Sequence, residues 1–276
     1  MITYIVRSKE PSLFAGNGET YGKFSMTSRP GIRQVANPAA ADDGDEFRFC
    51  STCAFSHACL SEGHDKSMLS ELHVLVEHIG PFHMNEPIFR EGDDFNAIAA
   101  VRAGTVKTFI HDINGNEHVL GFHLPGEVIG LNAIHTSRYP CNAVALDTVA
   151  LCRFSFPKMA LLATRLPGLQ QQLFRLLSQD IGKNALLAGD FSADARIAAF
   201  LIELSRRYEA RGFSPTRFNL VMTRADIAKY LRLAPETISR VFRRMRNGGI
   251  INVSQRAVVL LDMQKLNALA IGILRG

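Results

Sequence analysis

The chain has 276 residues, 47% hydrophobic and 21% charged. That length supports one large domain or two ordinary ones, each with a core. No run of about 18 apolar residues occurs, which argues against a membrane span. The net charge of +5 hides a split: residues 1–190 carry 16 Lys+Arg against 20 Asp+Glu, and residues 191–276 carry 15 against 6. A basic C-terminal third on an acidic remainder fits a polyanion-binding module joined to a different one.

Residues 1–48 hold Gly, Ser, Asn and Pro with no sustained period and read as a disordered tail. The segment from Met1 to Glu10 lacks the apolar stretch of a secretion signal, so the cytoplasm is the expected location. Five cysteines in that compartment read as ligands or reduced thiols rather than a disulfide framework. Three of them, Cys50, Cys53 and Cys59, fall within ten residues.

Residues 67–79 predict a short helix, with Leu69, Leu72, Leu75, Val76 and Ile79 on one side. From 81 to 156 short apolar segments are split by Gly, Pro, Asn and Asp, among them 87–89, 98–101, 105–110 and 119–123. Asn114-Gly115 is a hairpin signal between the last two. Short, regularly spaced strands predict an antiparallel roll or barrel. After Pro167-Gly168 a helical pattern runs to about Ala188, with Leu169, Leu173, Leu176 and Leu187 available to the roll. Phe174, Leu177, Ile181, Asn184 and Ala188 are spaced 3, 4, 3 and 4, the seam of a coiled coil. The boundaries expected are therefore a tail at 1–48, a cysteine segment plus roll at 49–165, a dimerisation helix at 166–190 and a DNA-binding domain at 191–276.

In that last segment Thr223 is a helix cap, with Asp226 in the first turn, where negative charge suits the helix dipole. Ile227, Ala228 and Leu231 form the buried side, and Leu233-Ala234 makes a break. Pro235 suits the first position of a second helix. This helix is two-faced. Ile238, Val241, Phe242 and Met245 lie on one side, and Glu236, Ser239, Arg240 and Arg243 on the other. A helix, short turn and basic second helix is a helix-turn-helix reader. Arg240 is suited to guanine O6 and N7, Glu236 to a cytosine amine, and Ser239 to a base edge or thymine methyl. Arg243, Arg244 and Arg246 suit phosphates, and Thr223 and Arg224 at the start of the first helix are further candidate DNA-binding residues. Two short strands near 250–253 and 257–261 make a wing.

The spacing C-x2-C-x5-C points to soft-metal ligation, by an iron–sulfur cluster or by zinc. Either usually takes four ligands, and Cys141 and Cys152 are both open as the fourth. His57 and His64 lie beside the segment, so a mixed zinc site also fits. No G-x-S-x-G, P-loop or dinucleotide fingerprint occurs, and His73, His78 and His83 lack ligand or triad spacing, so an enzyme is not expected.

The sequence resembles the Crp/FNR family of bacterial transcription regulators, most closely the oxygen-sensing fumarate and nitrate reduction type. The resemblance covers about residues 49–276. It rests on the cysteine spacing, Gly121-Phe122-His123-Leu124-Pro125-Gly126-Glu127, Ser205-Arg206-Arg207-Tyr208 through Arg211-Gly212-Phe213-Ser214-Pro215, and Glu236-Thr237-Ile238-Ser239-Arg240. It implies an α+β architecture: an N-terminal antiparallel β-roll like that of cyclic-nucleotide-binding domains, a long dimerisation helix and a C-terminal winged helix-turn-helix. It implies a [4Fe-4S] cluster on Cys50, Cys53, Cys59 and Cys152 that oxygen degrades, with loss of the homodimer and release of DNA. It also implies that Glu236, Ser239 and Arg240 read an inverted repeat with TTGAT-like half-sites, and that bound dimers engage RNA polymerase.

Two departures stand out. Arg232 occupies a place where relatives often carry a turn glycine. Asn184 occupies a seam position where close relatives can carry a carboxylate, and two facing asparagines hydrogen-bond where two carboxylates repel. Cyclic-nucleotide-binding relatives also carry an Arg beside a small hydroxyl residue after the Gly-Glu. Here that place reads Tyr139-Pro140-Cys141-Asn142, which lacks a cradle for a buried phosphate. The alternative expectation is a Crp-like regulator of another small molecule or haem, with the cysteines holding structural zinc.

Overall fold

The computed structural model describes residues 75–186 and 189–274, and the backbone alone for 181–186. The expected tail and Cys50, Cys53 and Cys59 lie outside the described residues.

The N-terminal body is built from β1 (Val76–Phe82), β2 (Pro87–Phe89), β3 (Ala97–Ala103), β4 (Val106–His111), β5 (Glu117–His123), β6 (Val128–Ile129), β7 (Asn142–Ala145) and β8 (Val149–Ser155). They form two four-stranded sheets, β1-β8-β3-β6 and β2-β7-β4-β5. The pairings are antiparallel, and the order is that of a jelly roll. Phe82, Ile88, Phe89, Val101, Tyr139 and Leu151 fill the space between the sheets.

β3 is buried along Ala97–Val101, on both faces. Ala97 and Ala99 face the sandwich. Ile98 and Ala100 face two helices, α1 (Phe156–Arg165) and α2 (Pro167–Leu186), whose Met159, Leu162 and Leu169 join the same cluster. Alanines at alternate positions let a strand lie between a sheet and a helix layer without overpacking. At the β3–β4 corner only glycine fits. Gly104 has φ +79°, and a Cβ there would sit 2.3 Å from the Thr148 carbonyl oxygen.

The C-terminal body comprises α3 (Ala193–Glu209), β9 (Arg217–Asn219), α4 (Arg224–Leu231), α5 (Pro235–Asn247), β10 (Ile251–Ser254), β11 (Ala257–Leu260) and α6 (Met263–Ala270). Its sheet has the order β10-β11-β9, so the expected two-stranded wing gains a third strand. α3 and α4 are capped by Ser192 and Thr223.

The helix expected over 67–79 is corrected. Residues 76–79 belong to β1, which pairs with β8 through Val76–Phe154, His78–Cys152 and Ile79–Leu151. Residues 67–74 of that expectation lie outside the described residues. A short apolar run satisfies helix and strand periods alike, and the open edge of β8 decides between them.

The bodies meet on β5. Val119, Phe122 and Leu124 of the roll belong to one apolar cluster with Phe200 of α3 and Ile227 of α4. The Phe122 ring lies 5.3 Å from Tyr230 and 6.3 Å from Phe200.

Candidate nucleic-acid interface

α4 begins with a reciprocal cap. Thr223 Oγ1 accepts from the Asp226 amide at 3.1 Å, and Asp226 Oδ2 accepts from the Thr223 amide at 3.0 Å and its hydroxyl at 2.6 Å. This capping box satisfies two amides that the helix leaves unpaired. Leu231 ends the helix, and Arg232 turns the chain in the left-handed region at φ 54°, ψ 47°. Its amide returns to Ala228 O, and Pro235 opens α5 three residues on.

α5 divides as its sequence requires. Ile238, Val241, Phe242 and Met245 are buried. Glu236, Ser239, Arg240 and Arg243 are exposed. Ser239 donates to the Pro235 carbonyl at 3.3 Å, which holds its hydroxyl near the helix start. Exposed side chains with hydrogen-bonding tips on one helix face are what a major groove accepts.

Other basic residues are already engaged. Arg224 is half-buried, and its guanidinium carbon lies 3.8 Å from the centre of the Phe242 ring. Burial pushes its pKa down, and its Nη1 is buried without a hydrogen-bond partner. Stacked in this way, Arg224 braces α4 against α5. Arg244 pairs with Asp194 at 2.5 Å, tying α5 to the start of α3. Arg243 and Arg246 remain exposed, as does Arg256 in the β10–β11 turn.

The seam residues are only partly placed. Phe174 is 61% exposed on α2, while Leu173, Leu176 and Leu177 pack on the helix side of the roll. Leu177 is thus shared between the expected seam and the roll. The side chains of Ile181, Asn184 and Ala188 lie outside the described residues.

The two candidate fourth cysteines sit in different layers. Cys141 is 1% exposed inside the sandwich. Asn132 Nδ2 donates to its sulfur at 3.6 Å, and burial pushes the thiol pKa up. Cys152 is half-buried on the opposite face of its sheet, among the residues packed on the helix-side cluster. It stands opposite His78 of β1 and Ala100 of β3, so the chain enters β1 beside the strand that carries it. Among the described residues no group of three or more His, Cys, Asp or Glu is arranged to hold a metal.

The Gly-Glu corner that sequence reasoning linked to nucleotide relatives is taken up by α3 and the turn after it. Glu127 accepts from Arg207 Nε at 2.8 Å and Nη2 at 2.6 Å, and from Arg211 Nη2 at 2.8 Å. Arg207 also donates to Phe122 O at 2.6 Å, and Arg211 to Pro125 O. Both arginines belong to motifs quoted above, but nothing in their spacing announces that they meet.

A jelly roll leading through a helix to a winged reader defines a DNA-binding transcription regulator, not an enzyme. Two family models agree: a cyclic nucleotide-binding domain matches residues 80–164, and a Crp-like helix-turn-helix domain matches residues 195–269. The chain is 41% identical over 230 residues to the transcriptional activator protein anr of Pseudomonas aeruginosa, covering 82% of this chain and 94% of that one. It is 36% identical over 224 residues to the fumarate and nitrate reduction regulatory protein of Salmonella typhi, covering 80% and 90%. The solved structure of FixK2 from Bradyrhizobium japonicum superposes with a TM-score of 0.63 at 24% identity, over 70% of this chain and 96% of that one, a likeness of fold. The chain belongs to the Crp/FNR family of transcription regulators, and the anaerobic regulators of the fumarate and nitrate reduction type are among its similar relatives. No helix among the described residues is long and apolar enough to cross a membrane.

Proposed function

We propose that this protein is an oxygen-responsive transcription activator of anaerobic and microaerobic genes, acting as a cytoplasmic homodimer on an inverted repeat. The observation that carries the sensing half is the layer in which Cys152 lies. Its sulfur is on the helix face of its sheet, beside the strand through which the N-terminal segment enters, whereas Cys141 is sealed inside the sandwich. Cys50, Cys53 and Cys59 would complete the donor set with Cys152, and four thiolates suit a [4Fe-4S] cluster. When bound, that group supplies a covalent tie between the N-terminal segment and β8 that oxygen removes.

The chain's own residues carry the tie onward. Cys152 and the α2 residues Leu173, Leu176 and Leu177 pack on one apolar cluster. A shift of β8 therefore moves the helix that also bears Phe174. Phe174, Leu177, Ile181, Asn184 and Ala188 would form the seam between two copies. Dimerisation would set two α5 helices about 34 Å apart, one DNA turn. Glu236, Ser239 and Arg240 would read TTGAT-like half-sites, with Arg243 on phosphate and Thr223 at the DNA-binding start of α4. The bound dimer would then engage RNA polymerase. In this reading residues 49–165 sense, 166–190 dimerise and 191–276 bind DNA, while 1–48 form a tail.

The test is iron and acid-labile sulfide analysis of the full chain purified without oxygen, with operator binding measured before and after air. Four irons per chain, and binding lost in air, are expected. Iron-free protein carrying one zinc, or equal binding with and without air, would overturn the reading.

A further inference from the structure

The contact between roll and reader contains more charge than a passive spacer needs. Lys107 of β4, 9% exposed, donates from Nζ to Asp226 Oδ1 and to Glu117 Oε1, both at 2.9 Å. Asp226, 8% exposed, is the same carboxylate whose other oxygen holds Thr223 in the cap of α4. Lys229, one turn further along α4, reaches Glu117 at 3.4 Å. Elsewhere on the roll, Glu127 takes both Arg207 and Arg211. Lys107–Asp226, Glu127–Arg207 and Glu127–Arg211 are 119, 80 and 84 residues apart in sequence, so these three contacts are not products of local folding; Lys107–Glu117 lies within the β4–β5 hairpin. A cavity of about 170 Å³ opens among Thr108, His123, Asn132, Asp180, Arg207 and Tyr230.

We propose that Lys107 and Glu127, both on the roll, are positioning residues for DNA reading: they lock α4 and α3 so that the exposed face of α5 is presented at a fixed angle. Removing either charge of a buried pair leaves its partner uncompensated, so the joint opens rather than relaxing in place. The docked arrangement is the DNA-competent one, because Glu236, Ser239, Arg240 and Arg243 are all exposed while the joint is closed. Lys107 itself is too deeply buried to meet a phosphate. The contribution is one of orientation: a dimer that must place two helices one DNA turn apart is weakened when each helix samples a range of angles.

This inference rests on α5 being the reader. Its test uses the full chain prepared without oxygen and a labelled duplex carrying two TTGAT half-sites as an inverted repeat, titrated by anisotropy at several salt concentrations. Lys107→Met is expected to weaken binding by about tenfold, within the range of ordinary coupling between sites. The slope of log Kd against log salt should stay unchanged, because no phosphate contact is lost. Sedimentation should still show the dimer. Lys107→Arg should restore most of the affinity, which a purely steric role would not allow. Glu127→Gln leaves the Lys107–Asp226 pair intact and should weaken binding in the same way, so it carries the test if Lys107→Met fails to fold. Binding by both variants within twofold of wild type overturns the proposal. So does tighter binding, which would make the joint inhibitory. A salt slope lower by about one for Lys107→Met also overturns it, since that is the mark of a direct phosphate contact. If the unaltered protein shows no preference for the repeat, the reader assignment falls first and takes this inference with it.

Discussion

Arg232 holds a left-handed conformation, φ 54° and ψ 47°, at the one turn that sets the angle between α4 and α5. A side chain with a Cβ in that region costs about 1–2 kcal/mol. Glycine there removes the strain, but it also loosens the unfolded chain, at a cost of about 0.5–1 kcal/mol. Taken near the middle of both ranges, the difference favours Arg232→Gly by about 0.5–1 kcal/mol. For a domain of the size of residues 191–274, that corresponds to a rise of roughly 2–8 °C in Tm. Calorimetry of the full chain, following the transition of the C-terminal body, measures it. Arg232→Ala is the control: it removes the exposed charge and keeps the strain, so its Tm should stay near wild type. A glycine variant that melts lower than wild type would refute the reasoning, because it would mean that contacts of the arginine side chain outweigh the strain of its backbone.

Arg240→Ala should lose about 1–3 kcal/mol of discrimination at a single base pair, seen as relaxed preference in a panel of altered half-sites. Arg243→Ala should weaken all sequences alike and lower the salt slope by about one. Cys152→Ser should yield iron-poor protein. Cys141→Ser should keep its iron but unfold about 1–3 kcal/mol more easily in urea, because it puts a hydroxyl in the sandwich core; the reverse pattern would exchange the two cysteines' roles. The joint has a pH signature of its own. Burial opposes charge on both Lys107 and Asp226. The hydrogen bonds and charges of Asp226 and Glu117 outweigh it and hold Lys107 above its ordinary 10.5, while those of Thr223 and Lys107 hold Asp226 below its ordinary 3.8. The lysine's contribution is complete below its unfolded pKa and lost as pH rises past its folded one. The aspartate's is complete above its unfolded pKa and lost as pH falls through its folded one. The stability difference between wild type and Lys107→Met should therefore be flat from about pH 5 to 9 and shrink at either extreme, and a step near neutrality in urea midpoints would contradict it.

The parts of the molecule readable from sequence are those whose signals are local. The reader was readable because a cap, a proline start and a two-faced helix lie within 24 residues, and the structure keeps all three. The Asn114-Gly115 signal likewise gives a hairpin. Asp112 accepts from the amides of Asn114 and Asn116, and Gly115 takes φ +81°. β1 was misread because its partner strand, β8, begins only at Val149, far along the chain. β9 went unseen because it is three residues long, whereas α1 buries Met159, Leu162 and Ala163 at helical spacing and was readable but overlooked beside the strand pattern that precedes it. Arg224, a candidate DNA-binding residue from the sequence, lies across Phe242, and no one-dimensional pattern distinguishes a stacked arginine from a solvated one. The joint was the least accessible feature. Lys107, Glu117 and Glu127 look like ordinary surface charges until the roll folds β4 and β5 against α4.

The fate of the Gly-Glu corner shows how one roll serves a different chemistry. A cyclic-nucleotide domain needs polar groups left open to a ligand at that corner. Here the Glu127 carboxylate holds two guanidiniums, the Phe122 and Pro125 carbonyls are donated to by the same pair, and the Leu124 amide returns to Glu127 at 3.2 Å. Two cations compete for one carboxylate. Burial opposes charge on both, yet Glu127 holds Arg207 above its ordinary value, while burial and the neighbouring Arg207 push Arg211 below its own. A nucleotide taking Glu127 would therefore have to strand two buried cations, a cost its own single phosphate would not repay. The corner lies next to Val128, which pairs with Ala100, which in turn pairs with Cys152. The strand bearing Cys152 and the residue gripping α3 are thus two strand steps apart, in a sheet whose central strand is packed on both faces. The polar groups of this corner are thus occupied by the chain's own arginines.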